Sequence, residues 1–239
     1  MRLPRLRLPL LAAIAALLAA GCGSGASASA TTGSAATASK AASAGATVMA
    51  RRRARRRRHP APNPGTLPQT RQLPSAGTPT FRAEMADLWA AVRTDTLRPG
   101  LPAFFPEAAY LQVKSISNPA ADYMTRLIGA YRVDISAAHA LLGGGARTAR
   151  LIGVRVPMSY SHWVSPGACY NRIGYYEVPN ARMVYRANGQ VRSFGIASMI
   201  SWRGVWYVVH LGAVLQSSQV GVVDDPSVGP GVSAFSSTC

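Results

Sequence analysis

Residues 181–211 read ARMVYRANGQVRSFGIASMISWRGVWYVVHL, and the reading of this stretch decides the fold. Asn188-Gly189 is a strong two-residue hairpin signal, because a type I′ turn needs positive φ at both central positions. Pairing around it sets Tyr185 opposite Arg192 and Met183 opposite Phe194. A second turn at Trp202–Gly204 returns the chain through Val205–Leu211. Alternation then sorts the side chains. One face collects Met183, Tyr185, Phe194, Ile196, Ile200, Tyr207, Val209 and Leu211. The other collects Arg182, Val184, Arg186, Ser193, Met199, Trp206, Val208 and His210. The first face requires a cover of helices.

Working outward, the residues before this meander supply that cover. Thr80 is placed to cap a helix whose Phe81, Met85, Leu88, Trp89 and Val92 fall within about 100° on a helical wheel. Pro106 opens a short helix over 107–113. Ser117-Asn118-Pro119 starts the longest helix, which runs to about Leu142 and stops at Gly143-Gly144-Gly145. Its apolar stripe holds Tyr123, Leu127, Ala130, Tyr131, Ala138, Leu141 and Leu142, with Asp134 in the middle and His139 at the edge. Asp122 and Arg126 sit outside the stripe as an i, i+4 pair. Strands follow at 150–156 and 170–178, the second broken by Pro179-Asn180, with a polar, aromatic loop between them that carries His162-Trp163. After Leu211 the chain reads as an extended Gly/Ser/Pro tail. Helices followed by an antiparallel meander make an α+β layer of about three helices on four to five strands.

The whole chain has 239 residues and a net charge of +17, from 26 Lys+Arg against 9 Asp+Glu. That total invites a nucleic-acid reading, but its distribution speaks against it. Residues 1–78 hold 12 basic and no acidic residues, which leaves the remainder at +5. Arg2, Arg5 and Arg7 precede an apolar run from Leu8 to Ala20, the pattern of an export signal and too short for a comfortable membrane span. Leu17-Leu18-Ala19-Ala20-Gly21-Cys22 resembles the lipobox of bacterial lipoproteins, with Ala19 where Leu is usual. That resemblance implies cleavage before Cys22, so that 1–21 is a signal peptide, and lipidation of the new amino terminus on the extracytoplasmic face of the cell membrane. An ordinary secretion signal is the other reading of the same residues.

Residues 22–78 are mostly Ala, Ser, Gly, Thr and Pro, without large apolar residues at any period, and read as a disordered tether. Within it Arg51–Arg58 contains seven arginines. Such a run suits anionic lipid or cell-wall phosphate at about 1 kcal/mol per charge. It equally suits nucleic acid bound without sequence preference, and it also reads as a solvated charge run or a translocation stop.

Residues 79–239 form the globular part. Phe104-Phe105-Pro106 leading into Tyr110, together with the closing Trp202-Arg203-Gly204-Val205-Trp206-Tyr207-Val208-Val209-His210-Leu211, resembles the NTF2-like (cystatin-like) cone fold over about residues 80–212. The closing run also resembles lipoproteins of high-GC, actinobacterial-type bacteria. The resemblance implies a curved sheet and helices around a pocket, which members of the fold use for binding, for assembly or for catalysis.

With Cys22 lipidated, Cys169 and Cys239 are left as an even pair on the oxidising side of the membrane. A bridge between them closes a loop of about 70 residues, worth ~4 kcal/mol in the chain-entropy model. Free thiols are the alternative. The sequence contains no nucleophile elbow, zincin motif, phosphate loop or dinucleotide glycine pattern, and nothing in it calls for a metal or cofactor.

One constellation remains as a candidate site. Asp134 faces the sheet from the long helix, and Arg192 is the lone charge on the helix-facing side of the sheet. Tyr131, Tyr185, Phe194 and Tyr207 surround the two. A buried carboxylate is paired or shifts its pKa, so Asp134 marks either a structural ion pair with Arg192 or a working site. Two functions follow: a lipid-anchored envelope module for binding or assembly, or a small-molecule lyase or isomerase using Asp134 as acid or base.

Overall fold

Asn188 and Gly189 turn the chain with φ of 50° and 77°, and Arg203-Gly204 repeat the move with 51° and 76°. Both hairpins are therefore two-residue turns of the primed kind, whose twist matches that of the strands they join. Tyr185 faces Arg192 and Met183 faces Phe194, the register required by the turn. The computed structural model describes residues 63–216 and 219–236. The leader with Cys22, the run Arg51–Arg58 and Cys239 lie outside the described residues.

Among the described residues six antiparallel strands form one open sheet: β1 (Arg150–Arg155), β2 (His162–Val164), β3 (Tyr175–Ala187), β4 (Gln190–Trp202), β5 (Val205–His210) and β6 (Asp224–Val228). The two long strands share one hairpin, and each has two short partners on its outer edge. β1 and β2 pair with β3, while β5 and β6 pair with β4. Two strands lie where the sequence suggests loops. β2 comes from the His162-Trp163 segment. β6, Asp224-Asp225-Pro226-Ser227-Val228, has little intrinsic strand preference and is held by the buried Arg182. That guanidinium donates to Asp225 Oδ2 (2.9 Å), Ser227 Oγ (3.2 Å) and Ser193 Oγ (2.8 Å).

β3 also continues through Pro179-Asn180, which the sequence suggests as a break, with Asn180 at a positive φ of 54°. The residues of β3 paired with β2 end at Glu177, and those paired with β1 begin at Arg182. Pro179 thus occupies the gap between two edge partners, where a missing N–H costs least.

The helices cover the face that holds Met183, Tyr185 and Phe194. Helix α1 (Pro79–Thr94) is capped by Thr78, whose hydroxyl accepts from Phe81 N at 3.1 Å. Thr80, the cap expected from sequence, lies inside the helix because Pro79 takes the first helical position. After α2 (Leu97–Gly100), Phe104 and Phe105 lie along β5, with Phe105 N donating to Val208 O. Next come α3 (Glu107–Val113) and α4 (Pro119–Asp122), a π-helical segment Tyr123–Ile128, and α5 (Gly129–Ala140). The joints at Tyr123 and Gly129 keep right-handed helical angles, so the last three pieces form one continuous helix.

The chain joins the fold before Pro79. Trp202 Nε1 donates to Pro64 O at 2.9 Å, Gln69 Nε2 donates to Ser201 O at 2.8 Å, and Arg203 N donates to Gln69 Oε1. Residues assigned from composition to the end of the tether are therefore docked against the second hairpin.

Glu84 is the polar exception on the buried stripe of α1, at 9% exposure, and its Oε2 has no hydrogen-bond partner among the described residues. Burial, helped by the nearby Asp87, raises its pKa from 4.5 to about 8. The folded state then holds this proton more tightly than the unfolded chain does. Stability therefore falls as pH rises from about 4.5 and levels off above about 8. Glu84→Gln is expected to flatten this slope and to stabilise the domain at pH 9, by on the order of 2 kcal/mol. Urea unfolding of both proteins at pH 5, 7 and 9 checks it; parallel slopes would refute the assignment.

Candidate functional site

A cavity of about 610 Å³ opens between the helices and the sheet. From the sheet come Tyr175 and Glu177 on β3, Ser198 and Ile200 on β4, and Val209 and His210 on β5. From the helices come Tyr110, Val113 and Lys114 at the end of α3, then Asp122, Arg126 and Ala130. Cys169–Asn171 and Ala213–Gln216 complete the rim.

The position of His210 follows from one irregularity. Ile200 pairs with Tyr207 and Met199 with Val208, but Ser198 pairs with His210, so β5 carries a bulge. A bulge adds one residue and reverses the facing of everything beyond it. His210, assigned by strict alternation to the far face, therefore joins Ser198 at the cavity. The bulge is held by Tyr131, whose hydroxyl lies 3.1 Å from both Val208 O and Val209 O.

On the helix side Tyr110, Asp122 and Arg126 form a closed cluster. Arg126 Nε donates to Asp122 Oδ1 at 3.1 Å, Arg126 Nη2 donates to Tyr110 OH at 2.7 Å, and Tyr110 OH donates to Asp122 Oδ2. Burial works to raise the Asp122 carboxyl, but the hydrogen bonds from Arg126 and Tyr110 outweigh it and hold it below its usual range. Arg126 lies in the π-helical segment, a kind of distortion found often at functional sites.

Lys114 Nζ donates to Cys169 O at 3.0 Å. Burial first, and then the Arg126 charge, push the Lys114 pKa down. On the sheet, Glu177 is buried, accepts from Ser198 Oγ at 2.6 Å and places Oε2 3.7 Å from His162 Nε2. Burial raises its pKa, against the pull of Ser198, His162 and Lys114. Burial, then Arg126 and Lys114, lower His210 to about 4, so it is a neutral imidazole near pH 7.

None of the six residues singled out from the sequence lines this cavity. Tyr131, Tyr185, Phe194 and Tyr207 are core. Tyr131 stacks on Phe104 with ring centroids 3.7 Å apart, and Tyr185 packs against Trp89 and Phe194. Arg192 is half-buried beside Tyr185, at a separate small cavity next to β6.

Asp134 is buried as expected, at 1% exposure, but its partner is not Arg192. Its carboxylate accepts from Gly212 N (3.0 Å), Val222 N (2.9 Å) and Gln216 Nε2 (2.9 Å), and so clamps the chain that leaves β5. Glycine is required on that path. A Cβ on Gly212 would lie 2.8 Å from Asp134 Oδ1, and one on Gly221 would lie 2.0 Å from Val133 O.

The site residues missed from sequence are Lys114, Asp122, Arg126, Glu177 and His210. A signal existed for Glu177, since the hairpin register carried through Pro179 sets it opposite Ile200. Cys169 is half-buried on the cavity rim, and Cys239, the partner expected from the sequence, lies outside the described residues.

Comparison of the chain with protein-family models, curated proteins and solved structures found no match. The fold and the site therefore carry the functional argument by themselves.

Proposed function

We propose that this chain is a lipid-anchored protein of the bacterial cell envelope. Its folded domain, an NTF2-like cone, acts as a binding module that takes up a small ligand in the cavity between helices and sheet. The observation that carries this reading is the cavity itself. At about 610 Å³ it falls in the range of small-molecule sites, roughly 300–1,000 Å³, and mixes apolar wall with a few converging polar groups. The helix-covered sheet agrees with the cone. The lipobox ending in Cys22 supports the anchor, and Arg51–Arg58 adds affinity for an anionic surface. The enzyme alternative loses its acid or base, because Asp134 is committed to the chain after β5.

The wild-type chain is expected in the membrane fraction with the mass of its acyl chains, and Cys22→Ala without that mass. Non-reducing peptide maps of the same exported protein are expected to join Cys169 to Cys239. The unacylated whole chain should bind the neutral fluorophore N-phenyl-1-naphthylamine at one site. Ala130→Trp, or Ile116→Trp should the first variant fold poorly, should fill the cavity and abolish this binding at unchanged melting temperature. Absence of binding to the wild type, or binding indifferent to both fillers, would overturn the binding reading. An unmodified wild-type mass would overturn the anchor.

A further inference from the structure

One end of the cavity gathers donors with capacity to spare, beside two acceptor atoms, Glu177 Oε2 and Asn171 Oδ1, that lack a hydrogen-bond partner among the described residues. Lys114 Nζ makes a single hydrogen bond among the described residues, to Cys169 O. Arg126 spends Nε and Nη2 on Asp122 and Tyr110, and its Nη1 makes none among the described residues. The His210 ring has no hydrogen-bond partner among the described residues, although the bulge delivers it to this end. The charges that act on His210 are Arg126 and Lys114, both positive, and they disfavour its protonation. Asp122 is paired with Arg126 and Tyr110, and Glu177 accepts from Ser198 and lies 3.7 Å from His162. The donors left over, on Lys114, Arg126 Nη1 and His210, suit an anionic group.

Apolar wall is supplied by Val113, Ile116, Ile200 and Val214. At the mouth two large apolar side chains stand open, Leu215 at 93% exposure and Tyr170 at 76%. Single exposed apolar residues are ordinary, and these two add apolar surface to the rim of the cavity. Tyr170 and the preceding Cys169 are also held at positive φ, 57° and 49°. Non-glycine residues keep such angles only where surrounding contacts impose them. Here the imposing contacts are Ser115 N to Tyr170 O and Arg172 N to Val113 O, which fix the loop against the end of α3.

We infer that the ligand is an acidic amphiphile, with its anionic head held by Lys114, Arg126 and His210 and its aliphatic body against the apolar wall that includes Ile116 and Ile200. This rests on the binding reading above and specifies the ligand class for the same cavity. A free fatty acid and an acidic bilayer lipid share this chemistry.

The test uses the whole chain carrying Cys22→Ala, with isothermal titration calorimetry below the concentration at which the ligands self-associate. Dodecanoate is expected to bind at least tenfold more tightly than dodecan-1-ol of the same length. Lys114→Gln, and separately Arg126→Gln, should erase most of that difference while leaving the alcohol's affinity in place. A ¹⁵N-detected titration should show the His210 midpoint rising when dodecanoate is bound, because the head screens the two cations. Extraction of dilauroyl phosphatidate from phosphatidylcholine vesicles would uphold the class and assign the source to the bilayer. Binding of dodecanoate without extraction would uphold it and assign a free acid.

Equal affinity for dodecanoate and dodecanol would overturn the inference and leave the binding reading standing. Inorganic phosphate saturating the site at the concentrations of dodecanoate would also overturn it, by showing that the body is not read. Failure of N-phenyl-1-naphthylamine and of all these ligands alike would instead strike the binding reading itself.

Discussion

Tyr131→Ala is expected to destabilise the domain by about 3–5 kcal/mol, the range for truncating a buried aromatic. The ring stacks on Phe104, and the hydroxyl reaches Val208 O and Val209 O at 3.1 Å each. Tyr131→Phe separates these roles. It keeps the stack and leaves Val209 O without its phenol donor, for a loss of about 1 kcal/mol. The bulge sets the facing of His210, so the phenylalanine variant is also expected to move the His210 titration and to weaken ligand binding at nearly full stability. Urea unfolding with ¹⁵N imidazole spectra measures both. A phenylalanine variant with wild-type His210 behaviour would mean that the bulge holds without the phenol.

Asp134→Ala is expected to cost about 2–4 kcal/mol, because the buried Gly212 N–H and the partly buried Val222 N–H lose a charged acceptor. The damage should be local first. The chain after β5 crosses α5 at this carboxylate, so limited proteolysis near Leu215 and Val220 should accelerate before the rest of the domain opens. Asp134→Asn keeps one acceptor oxygen but turns an amide N–H₂ toward backbone donors, and should fall between wild type and alanine. Substituting Arg192 should change neither result, which distinguishes the loop clamp from the ion pair suggested by the sequence. Wild-type stability in Asp134→Ala would refute the clamp.

How far the sequence carried the reading depends on the length scale of each feature. Asn188-Gly189 and alternation specify a two-residue turn and a register, and both are local, so the central hairpin and the stripes of α1 and of the long helix could be read directly. The candidate site could not. One extra residue in β5 inverts the facing of His210, and no composition signal marks it. The Asp122–Arg126 pair lies outside the core stripe, as the wheel says, but the wheel cannot show that Tyr110 and Lys114 arrive from another helix to make it a cavity wall. The stripe marks Asp134 as buried and in need of partners. Two of these are backbone N–H groups of a downstream loop, which leave no trace in side-chain identity, and the third is the amide of Gln216 in a segment that reads as tail. Pro179 misled because a proline argues against a central strand, and here it occupies a gap between two edge partners.

The divided outer edge of β4 bears on how the molecule is made. Its later half, from Ser198, is paired by β5, but its earlier half, Arg192–Gly195, is paired by β6, which is synthesised last of the six strands. During synthesis, the hairpin, the helices and β5 all precede that closing strand. In this interval the Arg192–Gly195 backbone is an open ladder able to pair with another chain, and the Arg182 guanidinium lacks its Asp225 and Ser227 partners. A nascent chain stopped short of Asp224 thus carries most of its core together with an adhesive edge, which makes the downstream segment a safeguard against self-association.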